Sequence, residues 1–522
     1  MPTSTRTPAT LYRGGRVYSP AYPRATALLV DDGRIAWLGA DDDSPSADTV
    51  VELGGALVTP AFVDAHVHAT DTGISLLCLD LSGVASVEEL LDRVAGYAAT
   101  LPAGATLLGH GWDESGWPQR RPPTAAELDR AGGGRKVYLS RVDVHSAVCS
   151  PALLAAVPGL AELPGHQADG WQRVAAHHAV RDAAYGSISQ AQRADAQRTT
   201  LRTAAAAGIA TVHECGGPGT SSEHDFTALL ALSQAEPVPE VYGYWGELGA
   251  AAKARELGAV GAGGDLYADG ALGSQTARLG SPYTDTDSCG HAYLEPEQVT
   301  EHVVDCVAHG MQSGFHAIGD AAIGAVVRGY AAAATQVGLE RLRAGRHRVE
   351  HAEILNRELI RGFVEFGLVA SMQPAFDRLW GGEHGMYALR LGTERSLASN
   401  PFGALAGVGV PLAFGSDSPV TPIDPWGTVQ AAAGHHNPAY RISVKAAFAA
   451  HTRGGWRAVH RDDEGVLVPG GPATFAVWRT GGDLVGGLPA LRAGDPLPEC
   501  VRTVLRGVTI HQNETTDQGT AT

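Results

Sequence analysis

Near the N-terminus the hydrophobic positions come in short runs, Leu11–Tyr18, Ala25–Val30, Ile35–Leu38 and Val50–Leu53, split by the turn signals Asp31-Asp32-Gly33 and Gly54-Gly55. The same short runs return in the C-terminal part, where Gly465–Val468, Thr474–Trp478 and Val501–Thr509 read as strands between Gly/Pro turns, and only Val444–His460 is strongly helical. Two β-rich ends flanking one large middle predict a small β-sandwich built from both termini, over residues 1–59 and 465–522. The middle, 60–464, alternates. Apolar strands are predicted at Phe62–His68, Val137–His145, Ala210–His213, Asp265–Asp269, Met311–His316, Arg348–His351, Val369–Gln373 and Leu412–Asp417. Ala-rich stretches such as Gln190–Ala207, Pro296–His309, Ile323–Gly338 and Arg357–Phe366 favour helix between them. Alternating β and α implies a parallel sheet, and eight strands imply an α/β fold of the (β/α)8 TIM barrel type. Pro158–Ala175, rich in Gly, Pro and Ala, reads as a surface insertion.

In such a barrel the active site lies at the C-terminal ends of the strands. Those ends here carry His66, His68, His145, His213, Asp265 or Asp269, His316, His351, Gln373 and Asp417. His66 and His68 are the most informative pair. Along a strand, residues i and i+2 face the same way, so both imidazoles aim at one spot, and neutral imidazole suits zinc and its neighbours. His-x-His alone is a weak signal among 21 histidines, and His177-His178 reads as a helical coincidence. The convergence of imidazoles and carboxylates is what gives it weight. His145 and His213 read either as substrate contacts or as groups that orient ligands. Asp320 reads as a helix cap, and Trp112 and Trp117 either wall a pocket or pack in a core.

Composition narrows the function. The chain has 522 residues and a formal net charge of −17 with no Lys/Arg run, which argues against a nucleic-acid or anionic-membrane partner. Met1–Thr10 contains no apolar signal region, and no run approaches the roughly 18 apolar residues of a membrane helix. The six cysteines are scattered without a Cys-x-x-Cys pair, so neither a disulfide framework nor a zinc finger is indicated and the expected location is cytoplasmic. A small-molecule substrate is expected, and a homodimer is the expected assembly.

The segments Pro60-Ala-Phe-Val-Asp-Ala-His-Val-His68, Asp269-Gly-Ala-Leu-Gly-Ser-Gln-Thr-Ala277, Phe315-His-Ala-Ile-Gly-Asp320, Arg348-Val-Glu-His351 and Gly415-Ser-Asp-Ser-Pro-Val420 occur in this order. Together they resemble the amidohydrolase superfamily, in the branch that contains N-substituted formamide deformylase. The resemblance implies a metal-dependent hydrolase barrel with a flanking β-sandwich. It implies that His66, His68, His316 and His351 hold one or two divalent ions, zinc foremost. It also implies that Asp417 binds metal and shuttles the proton. One departure stands out. The family usually has a lysine four residues before the Asp of Asp269-Gly270, and many members carboxylate a lysine to bridge two metals. This chain has Asp265 there, and its only lysines are Lys136, Lys253 and Lys445. The expectation is one tightly bound zinc with a weaker second position, Asp265 being a candidate ligand. His145 is expected to hold the developing oxyanion, while His145, Trp112, Asp269 and Gln373 are expected to contact substrate. A C–N hydrolase acting on an amide or N-formyl compound leads. The alternatives are a deaminase of the same superfamily, a catalytically silent barrel acting as a binding protein, and a non-haem iron oxygenase. No Gly-x-Ser-x-Gly supports serine catalysis.

Overall fold

The computed structural model describes residues 8–102 and 104–513. The N-terminal residues 1–7, read above for a signal region, and the tail from 514 on lie outside the described residues. Eight parallel strands form the central sheet: β1 (Phe62–Val67), β2 (Ile209–Gly216), β3 (Glu240–Trp245), β4 (Gly261–Ala262), β5 (Gln312–Ala317), β6 (Arg348–His351), β7 (Val369–Met372) and β8 (Leu412–Phe414). They neighbour one another in chain order. A parallel bridge from Val67 to Ser418 closes the ring, with the His68 amide donating to the Ser418 carbonyl at 2.9 Å and the Asp417 amide to that of His66 at 2.8 Å. The helices between them, such as Gln190–Ala206, Pro296–Ala308, Asp320–Val337 and Arg357–Phe366, lie where the sequence pattern puts them.

The expected number of strands is right, but the expected set is not. Val137–His145 is not a barrel strand. Val137–Arg141 lies in a separate five-stranded sheet with Leu79–Asp80, Leu107–Trp112, Ser146–Cys149 and Trp171–Arg173, inserted between β1 and β2. The barrel strand the pattern misses is β3, Glu240-Val-Tyr-Gly-Tyr-Trp245. The fourth strand is the short Gly261–Ala262, and Asp265–Asp269 follows it as a loop. Pro158–Ala175 lies largely at the surface, as expected, but is anchored: Trp171–Arg173 pairs antiparallel with Ser146–Cys149, and Leu160 is buried in the inserted module's core.

The termini meet in two further sheets. One holds Thr10–Arg13, Ala27–Asp31, Arg34–Gly39 and Thr49–Glu52; the other holds Arg16–Val17, Leu57–Pro60, Phe475–Arg479, Glu499–Leu505 and Val508–Gln512. They enclose a common core of Tyr12, Leu28, Ile35, Val58, Phe475 and Val504. Gly465–Val468, expected as a strand, has no regular structure. No helix among the described residues is long and apolar enough to cross a membrane.

Barrel and terminal sheets are fastened through aromatic rings. Phe62, the first residue of β1, lies 5.0 Å from Trp426, 5.2 Å from Phe448 and 5.7 Å from Trp478 between ring centroids. Trp426 and Trp478 are 5.4 Å apart, and the Trp478 indole donates to Thr59 Oγ1. Edge-to-face pairs of this kind add about 0.5–1.5 kcal/mol each beyond area burial. Phe62→Ala is therefore expected to cost about 3–5 kcal/mol, the range for a large buried aromatic. Urea unfolding checks this, with exposed Leu77→Ala as a control that moves the midpoint little.

Candidate metal centre

Four histidines and two aspartates meet at the C-terminal mouth of the barrel. His66 and His68 come from the end of β1, His316 from β5 and His351 from β6. Asp417 follows β8, and Asp265 follows β4. All six are buried. The backbone is shaped to put them there. Gly264 has φ 77°, a conformation in which a side chain is strained, and it turns the chain off β4 so that Asp265 points over the barrel. A Cβ on Gly415 would stand 2.5 Å from the His66 amide nitrogen, so only glycine lets β8 approach β1 this closely. His351 and Asp417 are left-handed at φ 68° and 56°. Such positions cost about 1–3 kcal/mol each and concentrate at functional sites.

Asp265 is at the centre. Its Oδ1 lies 3.4 Å from His66 Nε2, 3.3 Å from His316 Nδ1 and 3.6 Å from His351 Nε2, and its Oδ2 lies 3.0 Å from His68 Nε2. Asp417 Oδ1 lies 3.3 Å from His66 Nε2 and 3.2 Å from His68 Nε2. Two sets of donor atoms follow, each packed within 4.8 Å: His66, His68, Asp265 and Asp417, and Asp265, His316 and His351. Asp265 belongs to both. Burial alone would push both carboxyls up, but the imidazoles outweigh it: His66, His316 and His351 hold Asp265 well below the usual carboxylate range, and His66, His68 and His351 hold Asp417 below it.

Three of the rings have a partner that fixes which nitrogen faces the centre. His66 Nδ1 donates to Glu350 Oε2 at 2.9 Å, which turns Nε2 toward the centre. Glu350 is clamped by Arg348, whose Nε and one terminal nitrogen reach its two oxygens at 2.8 and 2.9 Å. Burial would raise the Glu350 carboxyl, but Arg348 and His66 prevail and hold it at about 2. His351 Nδ1 donates to Gln373 Oε1 at 2.8 Å, and His316 Nε2 to the Gly270 carbonyl at 3.2 Å. His66 Nε2, His351 Nε2 and Asp417 Oδ1 are then buried with near neighbours but no aligned hydrogen bond. Burial would lower His66, His68 and His351, but the neighbouring acidic groups raise all three, so the inward nitrogens hold protons against the carboxylates; a divalent cation would take the place of those protons among the same imidazole and carboxylate atoms. A third donor set, His66, Cys215 and Glu350, is not a separate site, since both Glu350 oxygens are engaged by Arg348 and His66.

The remaining expected residues fall into different places. His145, although it comes from the inserted sheet, does reach the site: its ring is 5.1 Å from that of His316. Burial, and next the neighbouring His316, push its pKa down to about 4, so it is neutral at pH 7. His213 is a structural partner whose Nδ1 accepts from Arg348 at 2.9 Å. Trp112 is not in the pocket. It is fully buried in the inserted sheet's core, and its indole nitrogen donates to the Leu139 carbonyl at 2.8 Å. Trp117 is spent likewise on the Val84 carbonyl. Asp269 does not face substrate either: it accepts the amides of Arg278, Ile318 and Gly319 and so fixes the loop after β5. Gln373 orients His351. Asp320 accepts the Gly280 amide rather than capping its own helix. Strand-end reasoning misses Glu350 and Arg348. Their signal is a pair of opposite charges at i and i+2 in a short strand, facing the barrel interior together.

A barrel with an enclosed His/Asp donor set at its mouth defines the class of metal-site barrels. The model of the amidohydrolase family matches residues 49–511, and the chain belongs to that family. It is 26% identical to a putative amidohydrolase YtcJ of Bacillus subtilis, over 90% of this chain and 93% of that protein. It is 28% identical to Protein LONG AFTER FAR-RED 3 of Arabidopsis thaliana, over 88% and 84%. An N-substituted formamide deformylase of Arthrobacter pascens matches at 27% over 28% of each chain. Among solved structures, an uncharacterized metal-dependent hydrolase from Pyrococcus furiosus shares the fold, with a TM-score of 0.68, 24% identity and coverage of 90% of this chain and 98% of that one.

The clamp on His66 generates a prediction. Glu350→Gln keeps the shape but loses the charge, and zinc affinity is expected to fall about 10–100-fold, the usual cost of losing such a partner. Competition with a chromogenic chelator measures it; an unchanged affinity would show that Glu350 only fills space.

Proposed function

We propose that the protein is a zinc-dependent hydrolase of carbon–nitrogen bonds other than peptide bonds, cleaving an amide or N-formyl bond of a small molecule. The observation that carries this reading is the shared carboxylate of Asp265, which stands among both donor sets. It favours two ions over the single tight ion expected from the sequence. His66, His68 and Asp417 would hold one, His316 and His351 the other, and Asp265 both. No lysine can serve instead: Lys253 is paired with Glu223 and Glu247, Lys136 precedes the inserted strand Val137–Arg141 at its N-terminal end, and Lys445 lies in the helix Val444–Ala449. The ions would supply Lewis acidity, polarising the substrate carbonyl and acidifying the attacking water. The similarity to a formamide deformylase supports an N-acyl substrate. The six free cysteines suit the reducing cytosol that the reading assumes.

The chain's own groups then have distinct tasks. Asp417, held ionised, takes the proton of the attacking water and returns it to the leaving nitrogen. His145, as a neutral imidazole, donates a hydrogen bond to the oxygen that gains charge as the carbonyl becomes tetrahedral. Gln373 and Glu350 hold the rings of His351 and His66 in register.

Two outcomes test this. Asp417→Asn should lower kcat on an N-acyl amine substrate by at least about a hundredfold while part of the metal stays bound; wild-type turnover would reduce Asp417 to a structural role. Elemental analysis should find two equivalents of zinc in the reconstituted protein, one in Asp265→Ala and no more than one, held by Asp265, His316 and His351, in the His66→Ala, His68→Ala double variant. Two equivalents retained without Asp265 would remove it from the ligand set.

A further inference from the structure

The two ends of the barrel differ in the space they offer. At the C-terminal end the cavity beside the metal centre is small, about 20 Å³, under a roof supplied by the short helices Pro374–Trp380 and Met386–Leu391. At the opposite end lies an open groove of about 510 Å³, a size that takes small molecules. It runs between the first residues of β7 and β8 on one side and the helix Val444–Ala449 on the other, together with the π-helical turn Ala450–Gly454 that continues this helix. Turns of that kind recur at functional sites. The floor is apolar, formed by Val369, Val410, Leu412, Ile442 and Ala450, and Ala446 stands exposed on its rim.

Three arginines edge this floor, Arg346, Arg453 and Arg457, and among the described residues the lining contains no carboxylate. One acid stands just outside it. Asp462 takes the two terminal nitrogens of Arg346 at 3.1 and 2.6 Å and lies 3.4 Å from Arg457 Nε. Arg453, on the π-helical turn, is exposed, and among the described residues its guanidinium has no hydrogen-bond or ion-pair partner. Three cations against one anion leave the rim positive, the reverse of the chain as a whole at −17. A guanidinium stays protonated at any working pH, and its planar fork matches a carboxylate. An apolar floor that ends in an unspent guanidinium is therefore the complement of a molecule with a hydrocarbon body and an anionic head. An anionic bilayer is a poorer match, because it would meet the negative field of the whole surface, whereas a single carboxylate meets only the rim.

We propose that this groove is a binding site for an amphipathic carboxylate, a free acid with a hydrocarbon chain. The chain lies along Val369, Val410, Leu412 and Ile442, and the head meets Arg453 with Arg457 beside it. The site is separate from the metal centre and does not depend on the reaction proposed there. It adjoins the scaffold of that centre through His451 of the π-helical turn, whose Nδ1 donates at 2.8 Å to the Val63 carbonyl of β1, the strand that leads into His66 and His68.

Calorimetry on the full-length, zinc-loaded protein would compare octanoate, octanol and octylammonium, which share a chain and differ in the head. Octanoate is expected to bind at least about tenfold tighter than octylammonium, with octanol between them. Arg453→Glu should weaken octanoate at least about tenfold and leave octanol unchanged. Arg453→Lys, which keeps the charge and loses the fork, should weaken it less. Ala446→Trp fills the groove without altering its charge and should weaken octanoate and octanol alike. Both positions are exposed, so the variants are expected to fold, and an unchanged zinc content and thermal midpoint would check this. Octanoate binding no tighter than octylammonium in the wild type overturns the proposal. So does octanoate binding that neither Arg453→Glu nor Ala446→Trp weakens, which is the result expected if the zinc ions hold the carboxylate instead. Sedimentation velocity tests the other occupant: a wild-type dimer that Arg453→Glu dissociates would assign the groove to a second copy of this chain and equally overturn the proposal.

Discussion

Two carboxylates, Asp265 and Asp417, are buried at the mouth of the barrel with no lysine or arginine in their donor sets. An isolated buried carboxylate is costly enough that it would normally take up a proton. These two are kept ionised by imidazoles, and the imidazoles are in turn kept in place by a second ring of polar groups. Glu350 holds His66, Gln373 holds His351, and the Gly270 carbonyl holds His316. Arg348 closes this outer ring: it grips Glu350, the Ala65 carbonyl, Ser371 and His213, with its guanidinium 4.4 Å from the Tyr244 ring centroid. The charge balance of the centre thus reaches across β1, β2, β3, β6 and β7. A buried charge whose partner is removed costs more than the pair contributes, so the barrel interior is a single electrostatic unit.

A second buried network fixes what surrounds that unit. Arg141, fully buried, contacts Asp113, Glu114 and Asp143, and Glu114 also receives Arg390 from the roof over the pocket. Asp143 carries the load onward by accepting the His145 amide. The inserted sheet, the roof and the loop after β4 are thereby locked in one arrangement, which explains how a histidine from outside the barrel comes to lie 5.1 Å from one inside it.

Much of this is legible in the chain. His66, His68, His316, His351 and Asp417 stand where strand-end logic puts them, because side-chain period and strand polarity are local properties; Asp265, read as the head of a strand, reaches the same mouth from the loop after β4. The misses fall where pairing is non-local. Val137–Arg141 and Glu240–Trp245 are both short apolar runs of strand composition, and nothing in either tells which sheet it will join. Val137–His145 attracts the barrel reading because it ends in a histidine, and Glu240–Trp245 escapes it because it ends in a tryptophan and is interrupted by Gly243. Trp112 and Asp269 show the converse limit. A residue type suited to a pocket is equally suited to packing or to holding a loop, and only the partners it finds, the Leu139 carbonyl and three backbone amides, decide between them.

The sheet that joins both termini sets an order of events in synthesis. Leu57–Pro60 pairs with Phe475–Arg479, and the Ser19 hydroxyl reaches the Leu467 carbonyl across a separation of 448 residues. At about 5–20 residues per second the early strands wait on the order of 20–90 s for these partners to leave the ribosome. During that interval the apolar edge of Leu57–Pro60 and the ring of Phe62 have neither Phe475 nor Trp478 to cover them. The newborn chain therefore passes through a long-lived stage with a sticky, half-finished sheet, and its yield in a cell depends on what shields that edge until the last strands arrive.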